Sequence, residues 1–529
     1  MARRKPLKSK IENDTQAPVD VPYCFYPRNF PSYLVDERND TPVGLSIKLK
    51  GKPPTYYPKG VKQLAVDVSF ESNQRLHVKI FDPLNKRYEV PLDVPKCKKK
   101  ATEPVYTVTI SEPGSPFWLS VTRTSDLTNV FSTKGAAPLI FTDQFLQLSS
   151  LLPSSYIYGI GEHRNNLMLN VNWTRKTLWN LDQIPEEDLN LYGSHPFYLV
   201  MEENGKSSGF FLLNSNAMDV VLQPYPAITW RTTGGILDFY IFIGQNPADV
   251  MKEYTNVIGR TFMPPYWSLG FHICRFGYKS VNDTMKVVNR VRKAGIPQDT
   301  QWNDIDYAIG KRDFTTDVER FGDQAAMVDE IHRRGMKYIV IVDPGISSNQ
   351  TPGTYRPYDL GVHMDIFIKN ESGQQLVGKV WPGPTVFPDF SNEKAYTYWA
   401  TLIKEYTNKI FVDGLWIDMN EIAAFVDGSI DGCPISQYDH PPYTPGVVSG
   451  KLYTKTICAS AKQKLSVHYN LHNLYGFMET KATYYALKEL PSGKRPFIIS
   501  RATFAGQGHY GGHWTGDNVA TFHDLYRSI

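Results

Sequence analysis

The sequence predicts a chain of two parts: an N-terminal antiparallel β-sandwich, followed by an α/β part that forms a (β/α)₈ barrel of the TIM type. Up to about residue 260, short runs such as 62–70 and 75–81 alternate polar and apolar residues between turns. This period-2 pattern is typical of antiparallel strands with one buried face. After Pro264 and Pro265, continuous apolar runs alternate with amphipathic segments, which indicates a parallel sheet covered by helices.

The apolar runs of the second part predict six strands with helices between them. Strands are expected at residues 267–274, 301–307, 337–344, 414–421, 495–501 and 511–518. Helices are expected at residues 282–294, 325–334, 394–406 and 474–490. Gly295 and Gly335 follow the first two of these helices, as glycine commonly does where a helix ends. Since a closed barrel of this type has eight strands, we expect the last two to be missing from this chain.

Polar residues lie at the carboxyl ends of the predicted strands, where a (β/α)₈ barrel carries its active site. They are Asp304, Asp306, Asp343, Asp418, Glu421, Arg501 and Asp517. A doubly wound open sheet would gather similar residues, but it usually has a glycine-rich phosphate loop after its first strand. Residues 275–280 contain no such loop, so the pattern favours the barrel.

Composition and charge exclude several classes of protein. Of the 529 residues, 41% are hydrophobic and 21% are charged, which is the balance of a globular protein. The net charge of +4 is spread along the chain, so no nucleic-acid partner is expected. No apolar run is long enough for a membrane span, and the first residues lack the apolar core of a signal peptide. Six Asn-x-Ser/Thr sequons nevertheless favour a secreted origin.

Paired carboxylates at strand ends suit the cleavage of glycosidic bonds, because one attacks the anomeric centre and the other protonates the leaving oxygen. A single aspartate in such a place is more often a helix cap or an ion-pair partner. Acidic residues on four strand ends, with Arg501 on a fifth, favour a site instead.

Clustered aspartates also bind Mg²⁺ or Ca²⁺, so a metal site is the competing interpretation of the same residues. No Asp-x-Asp-x-Asp-Gly loop is present. The tryptophans near the carboxylates suit a sugar better than a hydrated cation, and they are Trp302, Trp381, Trp416 and Trp514. We therefore expect neither a metal nor another cofactor.

Three motifs resemble those of glycoside hydrolase family 31. They are Gly414-Leu-Trp-Ile-Asp-Met-Asn-Glu, which resembles the nucleophile signature, and Ile498-Ile-Ser-Arg-Ala-Thr-Phe-Ala-Gly and His513-Trp-Thr-Gly-Asp-Asn, which resemble two downstream blocks. Long runs at residues 190–198, 213–224 and 469–476 are similar to the animal α-glucosidases of this family. The resemblance extends over nearly the whole chain.

The resemblance also implies domain boundaries. Residues 21–27 resemble the tail of a trefoil module, so residues 1–40 are expected to be a remnant of that module with a linker. Residues 41–262 are then expected to form a sandwich of the galactose-mutarotase type. Residues 263–529 form the incomplete barrel, in which the substrate pocket would be incomplete as well.

The activity implied by the resemblance is that of a retaining exo-α-glucosidase. It would release terminal α-1,4-linked glucose, and α-1,6-linked glucose more slowly, from maltose, malto-oligosaccharides or glycogen. Asp418 would be the nucleophile and Asp517 the acid/base, on carboxyls roughly 5–5.5 Å apart, with Glu421 as a third catalytic residue. The implied substrate-binding residues are Asp182, Asp304, Asp343, Trp381, Trp416, Met419, Arg501 and Trp514.

The resemblance implies further features outside the pocket. It pairs Cys433 with Cys458 in a loop disulfide, makes Cys274 a free thiol and leaves Cys24 as an orphan of the trefoil module. It places the protein in the lysosome or the secretory pathway as a glycoprotein. The candidate glycosylation sites are Asn172, Asn282, Asn349 and Asn370.

Two other functions remain open. The chain could be an inactive carbohydrate-binding fragment or paralogue, since we expect its barrel to be truncated, although the intact Asp418, Asp517 and Arg501 argue against a lost activity. It could also be a glucosyltransferase, in which a sugar rather than water accepts the glucose.

Overall fold

Residues 33–51, 57–491 and 493–528 are described by the computed structural model of this chain. The predicted trefoil remnant, including Cys24, lies almost entirely outside these residues. Leu34–Thr41 already pairs with the next strand, so the sheet structure begins before residue 41, which was the predicted start of the sandwich.

The N-terminal part consists of antiparallel strands. In chain order they are β1 (Leu34–Thr41), β2 (Gly44–Lys50), β3 (Gln63–Ser72), β4 (Arg75–Phe81), β5 (Tyr106–Ile110), β6 (Leu119–Arg123), β7 (Asn129–Ser132), β8 (Ile140–Phe141), β9 (Leu146–Leu151), β10 (Tyr156–Gly161), β11 (Thr174–Leu178), β12 (Gly193–Met201), β13 (Ser207–Leu212), β14 (Met218–Gln223), β15 (Ala227–Thr232) and β16 (Leu237–Gly244).

These strands form two sheets that share one apolar core. Their orders are β1-β2-β3-β4-β16-β13-β12-β10 and β11-β14-β15-β9-β7-β6-β5, with β8 beside β9. In β3 the buried side chains alternate with more exposed ones, as the period-2 pattern predicts. Val66 from the first sheet and Trp230 from the second belong to the same buried cluster. The predicted antiparallel sandwich is confirmed.

The C-terminal part alternates strands with helices. Its elements are α1 (Pro247–Ile258), β17 (His272–Ile273), α2 (Val281–Lys293), β18 (Thr300–Asn303), α3 (Val318–Phe321), α4 (Gln324–Arg333), β19 (Lys337–Val342), β20 (Ile346–Ser347), α5 (Arg356–Met364), β21 (Gly378–Val380), β22 (Gly383–Val386), α6 (Glu393–Thr407), β23 (Gly414–Ile417), α7 (His468–Leu471), α8 (Tyr475–Lys488), β24 (Ile498–Ser500), β25 (Thr503–Phe504), β26 (Gly512–His513) and α9 (Phe522–Ser528). Short 3₁₀ turns occur at Tyr266–Leu269, Ile305–Tyr307, Ile309–Lys311, Val448–Gly450, His472–Leu474 and Gln507–His509.

A parallel sheet of six strands runs through this part in the order β17-β18-β19-β23-β24-β26. Each strand corresponds to one predicted from the sequence, but most are shorter. Residues 267–274 were predicted as the first strand, whereas a 3₁₀ turn occupies Tyr266–Leu269 before β17. The fourth predicted strand, 414–421, ends at Ile417, because Met419 takes a positive φ of 57° that no extended strand allows.

The helices begin and end close to the predicted residues, for reasons visible in the sequence. Ser280 accepts a hydrogen bond from the Asp283 amide at the start of α2, as an N-cap does. At the end of that helix Gly295 takes a φ of +72°. Helix α6 packs on α8, where the buried Trp399 indole donates to the Thr483 hydroxyl at 2.8 Å. The helices therefore bury one side against each other and against the sheet.

The sandwich and the barrel part are joined by hydrogen bonds between strands and loops. Strand β12 pairs in parallel with β25, with Gly193 opposite Thr503. The loop after β11 is fixed as well, because the amide of Asn180 donates to the Asn473 side chain at 2.9 Å. This second contact places the loop that carries Asp182 above the carboxyl ends of the parallel strands.

A chain of two buried imidazoles supports that loop. The Gln463 amide lies 3.0 Å from His468 Nδ1, His468 Nε2 lies 2.8 Å from His472 Nδ1, and His472 Nε2 lies 2.7 Å from the Asn180 carbonyl oxygen. Each ring can donate once and accept once only if it is neutral. Burial lowers the pKa of His472 to about 3, and it also lowers that of His468.

Replacing His472 with Gln is expected to reduce the sensitivity of the fold to acid. In the unfolded chain a histidine titrates near pH 6.5, so between pH 6.5 and 3 the unfolded state binds a proton that folded His472 refuses. The free energy of unfolding of the wild type therefore falls as pH falls. The difference in this free energy between wild type and His472→Gln should decrease by about 2 kcal/mol between pH 7.5 and 5. Urea unfolding at both pH values measures this difference. The exposed His363 offers the control His363→Gln. If the stability difference between wild type and His472→Gln were the same at both pH values, the prediction would be wrong.

Candidate active site

One buried guanidinium gathers three carboxylates at the carboxyl end of the parallel sheet. Arg501 follows β24, and its Nε lies 3.0 Å from Asp418 Oδ1. Its Nε and Nη2 donate to the two oxygens of Glu421, both at 2.9 Å. Its Nη1 lies 3.7 Å from Asp182 of the sandwich loop. Strand-end residues from the barrel part and one residue from the sandwich therefore meet at this cation.

Asp418 directly follows β23 and is partly buried, yet its neighbours stabilise its anionic form. Burial raises its pKa to about 6, while Arg501 and the Met419 amide, which donates at 2.7 Å, act in the opposite direction. Asp517 and Asp304 raise it further by repulsion. The charges of these neighbours therefore act on Asp418, which is ionised above about pH 6.

The tight turn after Asp418 brings two more predicted residues to Arg501. Met419 has the positive φ noted above, and its buried sulfur accepts from Arg501 Nη2 at 3.3 Å. Burial raises the pKa of Glu421 to about 7, against the influence of Arg501. Both oxygens of Glu421 are occupied by the guanidinium, so this residue orients Arg501.

Asp304 and Asp517 come from strand ends on either side. Asp304 follows β18 and caps the next 3₁₀ turn, where it accepts from the Ile305 amide at 2.6 Å. Burial raises the pKa of Asp304 to about 6, and the charge of Asp517 contributes to that shift. Asp517 itself is exposed. The two carboxylates therefore lie near one another as well as near Asp418.

Tyr192 of the sandwich fixes the loop that carries Asp517. The Asp517 amide donates to the Tyr192 hydroxyl at 3.1 Å. Gly516 precedes it with a φ of +73°, and a Cβ there would lie 2.1 Å from the Tyr192 ring. The same ring lies 5.1 Å from the Arg501 guanidinium. Tyr192 was not singled out from the sequence, although it lies within the run at 190–198 that carried the family resemblance.

Asp343 is a buried carboxyl without a hydrogen-bond partner. It follows β19, is 1% exposed, and neither of its oxygens has a partner among the described residues. Burial raises its pKa well above the usual range, and Asp313 and Asp418 raise it further. Burial and the two neighbouring carboxyls therefore favour the protonated form of Asp343.

The tryptophans expected near the carboxylates form aromatic contacts. The ring of Trp416 lies edge-on to Trp302 at 5.7 Å and to Trp514 at 5.4 Å. Trp381 is 38% exposed and contacts Phe425 at 4.9 Å, with the Lys311 ammonium 4.2 Å from its ring centre. All four predicted tryptophans thus lie in aromatic contacts, and Lys311 and Phe425 are additions that no strand-end pattern indicates.

The cysteines of the described residues are one disulfide pair and two free thiols, and Cys274 lies near Asp304 and Asp418. Cys433 and Cys458 form the predicted disulfide, with Cα atoms 5.5 Å apart. The nearby Asp439 completes a group of three potential ligands, but the two sulfurs bond to each other and cannot bind a metal. Among the described residues Cys97 and Cys274 are free. Of the four candidate sequons, those at residues 172, 282 and 349 have an exposed asparagine, whereas Asn370 is partly buried.

Removing the cation of this site is expected to destabilise the fold in a pH-dependent way. Arg501→Met leaves the buried Glu421 and the partly buried Asp418 without a counter-charge, which should cost about 3–5 kcal/mol at pH 7.5. Both carboxyls then have a higher pKa in the folded variant than in wild type, so the loss should be smaller at pH 5, where they are protonated. Urea unfolding at both pH values tests this. As a control, Arg356→Met removes an exposed pair with Glu405 and should have little effect; equal losses in the two variants would contradict the prediction.

Both parts of the chain are similar to known proteins. Residues 261–529 match the family profile described as the glycosyl hydrolases family 31 TIM-barrel domain. Residues 141–220 match the glycosyl hydrolase 31 N-terminal galactose mutarotase-like domain. The solved glucosidase II alpha subunit superposes with a TM-score of 0.78 at 22% identity, over 94% of this chain and 60% of that one. At this identity the likeness concerns the fold.

Curated relatives are similar in sequence over almost all of this chain. Lysosomal alpha-glucosidase of Bos taurus is 51% identical over 513 residues, which are 97% of this chain and 54% of the relative. Intestinal sucrase-isomaltase of Homo sapiens is 39% identical over 96% of this chain and 28% of the relative. The chain spans about half the length of the lysosomal relatives it matches.

Proposed function

The chain belongs to glycosyl hydrolase family 31, and from this premise we propose that its site hydrolyses terminal α-glucosidic bonds with retention of configuration. The proposed substrates are α-1,4-linked and, more slowly, α-1,6-linked glucose in maltose, malto-oligosaccharides or glycogen. The observation that carries the proposal is the position of Asp418. It is partly buried and paired with Arg501 at 3.0 Å, and burial together with the nearby charge of Asp517 raises its pKa.

In the first step the Asp418 carboxylate attacks C1 of the terminal glucose. A bond forms between C1 and the carboxylate oxygen, the glycosidic C1–O bond breaks, and the Asp517 carboxyl gives its proton to the departing oxygen. In the second step Asp517 takes a proton from water, whose oxygen attacks C1 and releases Asp418. Two inversions return the α-anomer.

The other residues would bind and orient the glucose. Arg501 holds Asp418 and keeps it anionic, and Glu421 fixes the guanidinium through two hydrogen bonds. Asp304 and Asp182 would accept hydrogen bonds from glucose hydroxyls, whereas the neutral Asp343 would donate a hydrogen bond. Met419 packs beneath Arg501, and Trp381, Trp416 and Trp514 would line the apolar faces of the sugar.

Proton NMR of the first glucose released from an aryl α-glucoside, in which all glucose comes from the cleaved C1 centre, tests the proposal. A retaining enzyme releases α-glucose, which mutarotates to the β-anomer afterwards. Release of β-glucose first would overturn the double displacement. Maltose binding without turnover would favour the carbohydrate-binding alternative, and products longer than the donor would favour a glucosyltransferase. The full-length gene product that carries these 529 residues is the protein to assay.

We also propose a lysosomal or secretory location with N-linked glycans. The support is the similarity to proteins named lysosomal alpha-glucosidase and the exposed asparagines of the sequons. None of the helices in the described ranges combines the length and apolar character that a bilayer crossing requires. Digestion with an N-glycosidase should increase the electrophoretic mobility of the protein, and an unchanged mobility would contradict the glycans.

A further inference from the structure

His513 lies at the end of β26, four residues before Asp517 in the chain. Its Nε2 lies 3.0 Å from Glu162 Oε1, and its Nδ1 lies 3.1 Å from the carbonyl oxygen of Ser500. Glu162 directly follows β10 of the sandwich. A sandwich carboxylate and a barrel carbonyl thus face the two nitrogens of one imidazole.

Both partners of this imidazole can only accept hydrogen bonds. A carbonyl oxygen has no hydrogen, and a carboxylate has none either. His513 therefore satisfies both only as the doubly protonated imidazolium. In agreement with this geometry, although burial alone would lower the pKa of His513, Glu162 and the carbonyl raise it overall. His513 differs in this respect from the buried neutral pair His468 and His472.

Two neighbouring groups, His195 and Arg501, have partners of their own. His195 of β12 lies nearby, but its Nε2 pairs with the Thr503 hydroxyl at 2.7 Å, and burial lowers its pKa to about 4. The second oxygen of Glu162 is buried without a partner among the described residues. The guanidinium of Arg501, on the neighbouring strand end, is engaged by the carboxylates of the site. Glu162 is thus the counter-ion of His513.

The loop from His513 to Asp517 is attached to the sandwich at both ends. At one end is the Glu162 ion pair, and at the other the Tyr192 hydroxyl accepts from the Asp517 amide at 3.1 Å. Asp517 is exposed and lies at the second of these attachments. A proton donor must lie within hydrogen-bond distance of the leaving oxygen to act.

We infer that the Glu162–His513 ion pair is a positioning device that aims Asp517 at the leaving oxygen. This inference rests on the proposed function, in which Asp517 is the acid/base. The carboxylate of Glu162 touches no substrate; it acts through His513 and the loop. When His513 loses its proton, one of its two hydrogen bonds is lost, and the loop is released at that end.

The test compares substrates that need the acid to different degrees. Maltose has a poor leaving group and requires the proton of Asp517, whereas the dinitrophenolate of 2,4-dinitrophenyl α-glucoside leaves without a proton. Glu162→Gln keeps the shape but removes the charge. We expect kcat/KM for maltose to fall about 10-fold, while kcat/KM for the dinitrophenyl glucoside stays within about twofold. A general loss of folded protein would lower both equally.

A matched control is His332→Gln, which removes another histidine–carboxylate pair, with Asp413 at 2.7 Å, remote from the site. It should leave the ratio of the two kcat/KM values unchanged. His513→Gln, which is neutral and cannot form the ion pair, should reproduce the changed ratio. In Glu162→Gln the imidazole NMR signals of His513 should also titrate at lower pH than in wild type.

The outcomes separate this inference from the proposed function. If wild type hydrolyses both glucosides and Glu162→Gln has the wild-type ratio, the positioning role is wrong while the hydrolase proposal stands. If wild type hydrolyses neither, the proposed function itself fails. A His513 that titrates at the same pH in Glu162→Gln and wild type would likewise overturn the ion pair.

Discussion

Replacing Asp418 with Asn is expected to reduce the hydrolysis of maltose and of aryl α-glucosides by on the order of 10⁴-fold or more. The amide cannot form the ester with C1, and Glu421, which also lies beside Arg501, has both of its oxygens held by the guanidinium. Because asparagine has nearly the same shape, the fold should persist. Steady-state hydrolysis rates of wild type and Asp418→Asn measure this reduction.

A matched control removes a carboxylate that the site does not use. Asp389 is buried next to Ser391, from whose hydroxyl and amide it accepts hydrogen bonds, and it has no contact with Arg501 among the described residues. Asp389→Asn should retain activity. If Asp418→Asn remained active as well, Asp418 would not be the nucleophile. Trapping wild type with a slowly reacting fluorinated glucoside should add one sugar mass to the peptide containing Asp418.

The pH dependence of kcat/KM gives a second measurement on the same residue. Nucleophilic attack requires the carboxylate, and burial raises the pKa of Asp418 to about 6. Activity should therefore rise with pH through a midpoint near 6, since kcat/KM reports groups of the free enzyme. A rising limb centred near pH 4 would show that burial does not control this group.

The second large effect is expected for Asp517→Ala. Loss of the acid/base should lower kcat/KM for maltose about 10³-fold or more, with a smaller loss for 2,4-dinitrophenyl α-glucoside, whose leaving group needs no proton. Breakdown of the glycosyl-enzyme should then limit the rate, because no base activates water. Steady-state kinetics with both substrates measures these losses.

Azide tests the role of Asp517 more directly. Azide needs no base, so it should attack C1 of the glycosyl-enzyme, displace Asp418 and yield α-glucosyl azide while restoring the rate. For Asp418→Asn, attack on the substrate itself would yield the β-azide instead. Rescue of Asp517→Ala without α-azide formation would contradict its assignment.

The strand–helix pattern of the barrel part could be predicted because it depends on local periodicity. Residues 282–294 and 394–406 carry amphipathic patterns, and the observed helices differ from them by one residue at each end. The small antiparallel sheet of β20, β21 and β22 was missed. Its strands have two to four residues each, too few for a period to show.

Part of the site could be predicted from strand ends, because the carboxyl ends of parallel strands converge. Asp304, Asp418 and Arg501 are examples. The contributions of the sandwich could not be predicted in this way. Asp182 was expected only from the family resemblance, while Tyr192 and Glu162 were not singled out at all, since no local pattern connects a sandwich turn with a loop more than three hundred residues later.

The sequence by itself determined the two-part architecture, the six strands, and the carboxylates with their arginine, because periodicity and strand-end position are properties of short segments. Only the tertiary structure decided what surrounds these groups. It places Arg501 between Asp418, Glu421 and Asp182, and it attaches the Asp517 loop to Tyr192 and Glu162. It also leaves the side chain of Asp343 without a hydrogen-bond partner among the residues that the structure describes. The charge state and the direction of a side chain depend on its neighbours in space, and those neighbours come from distant parts of the chain.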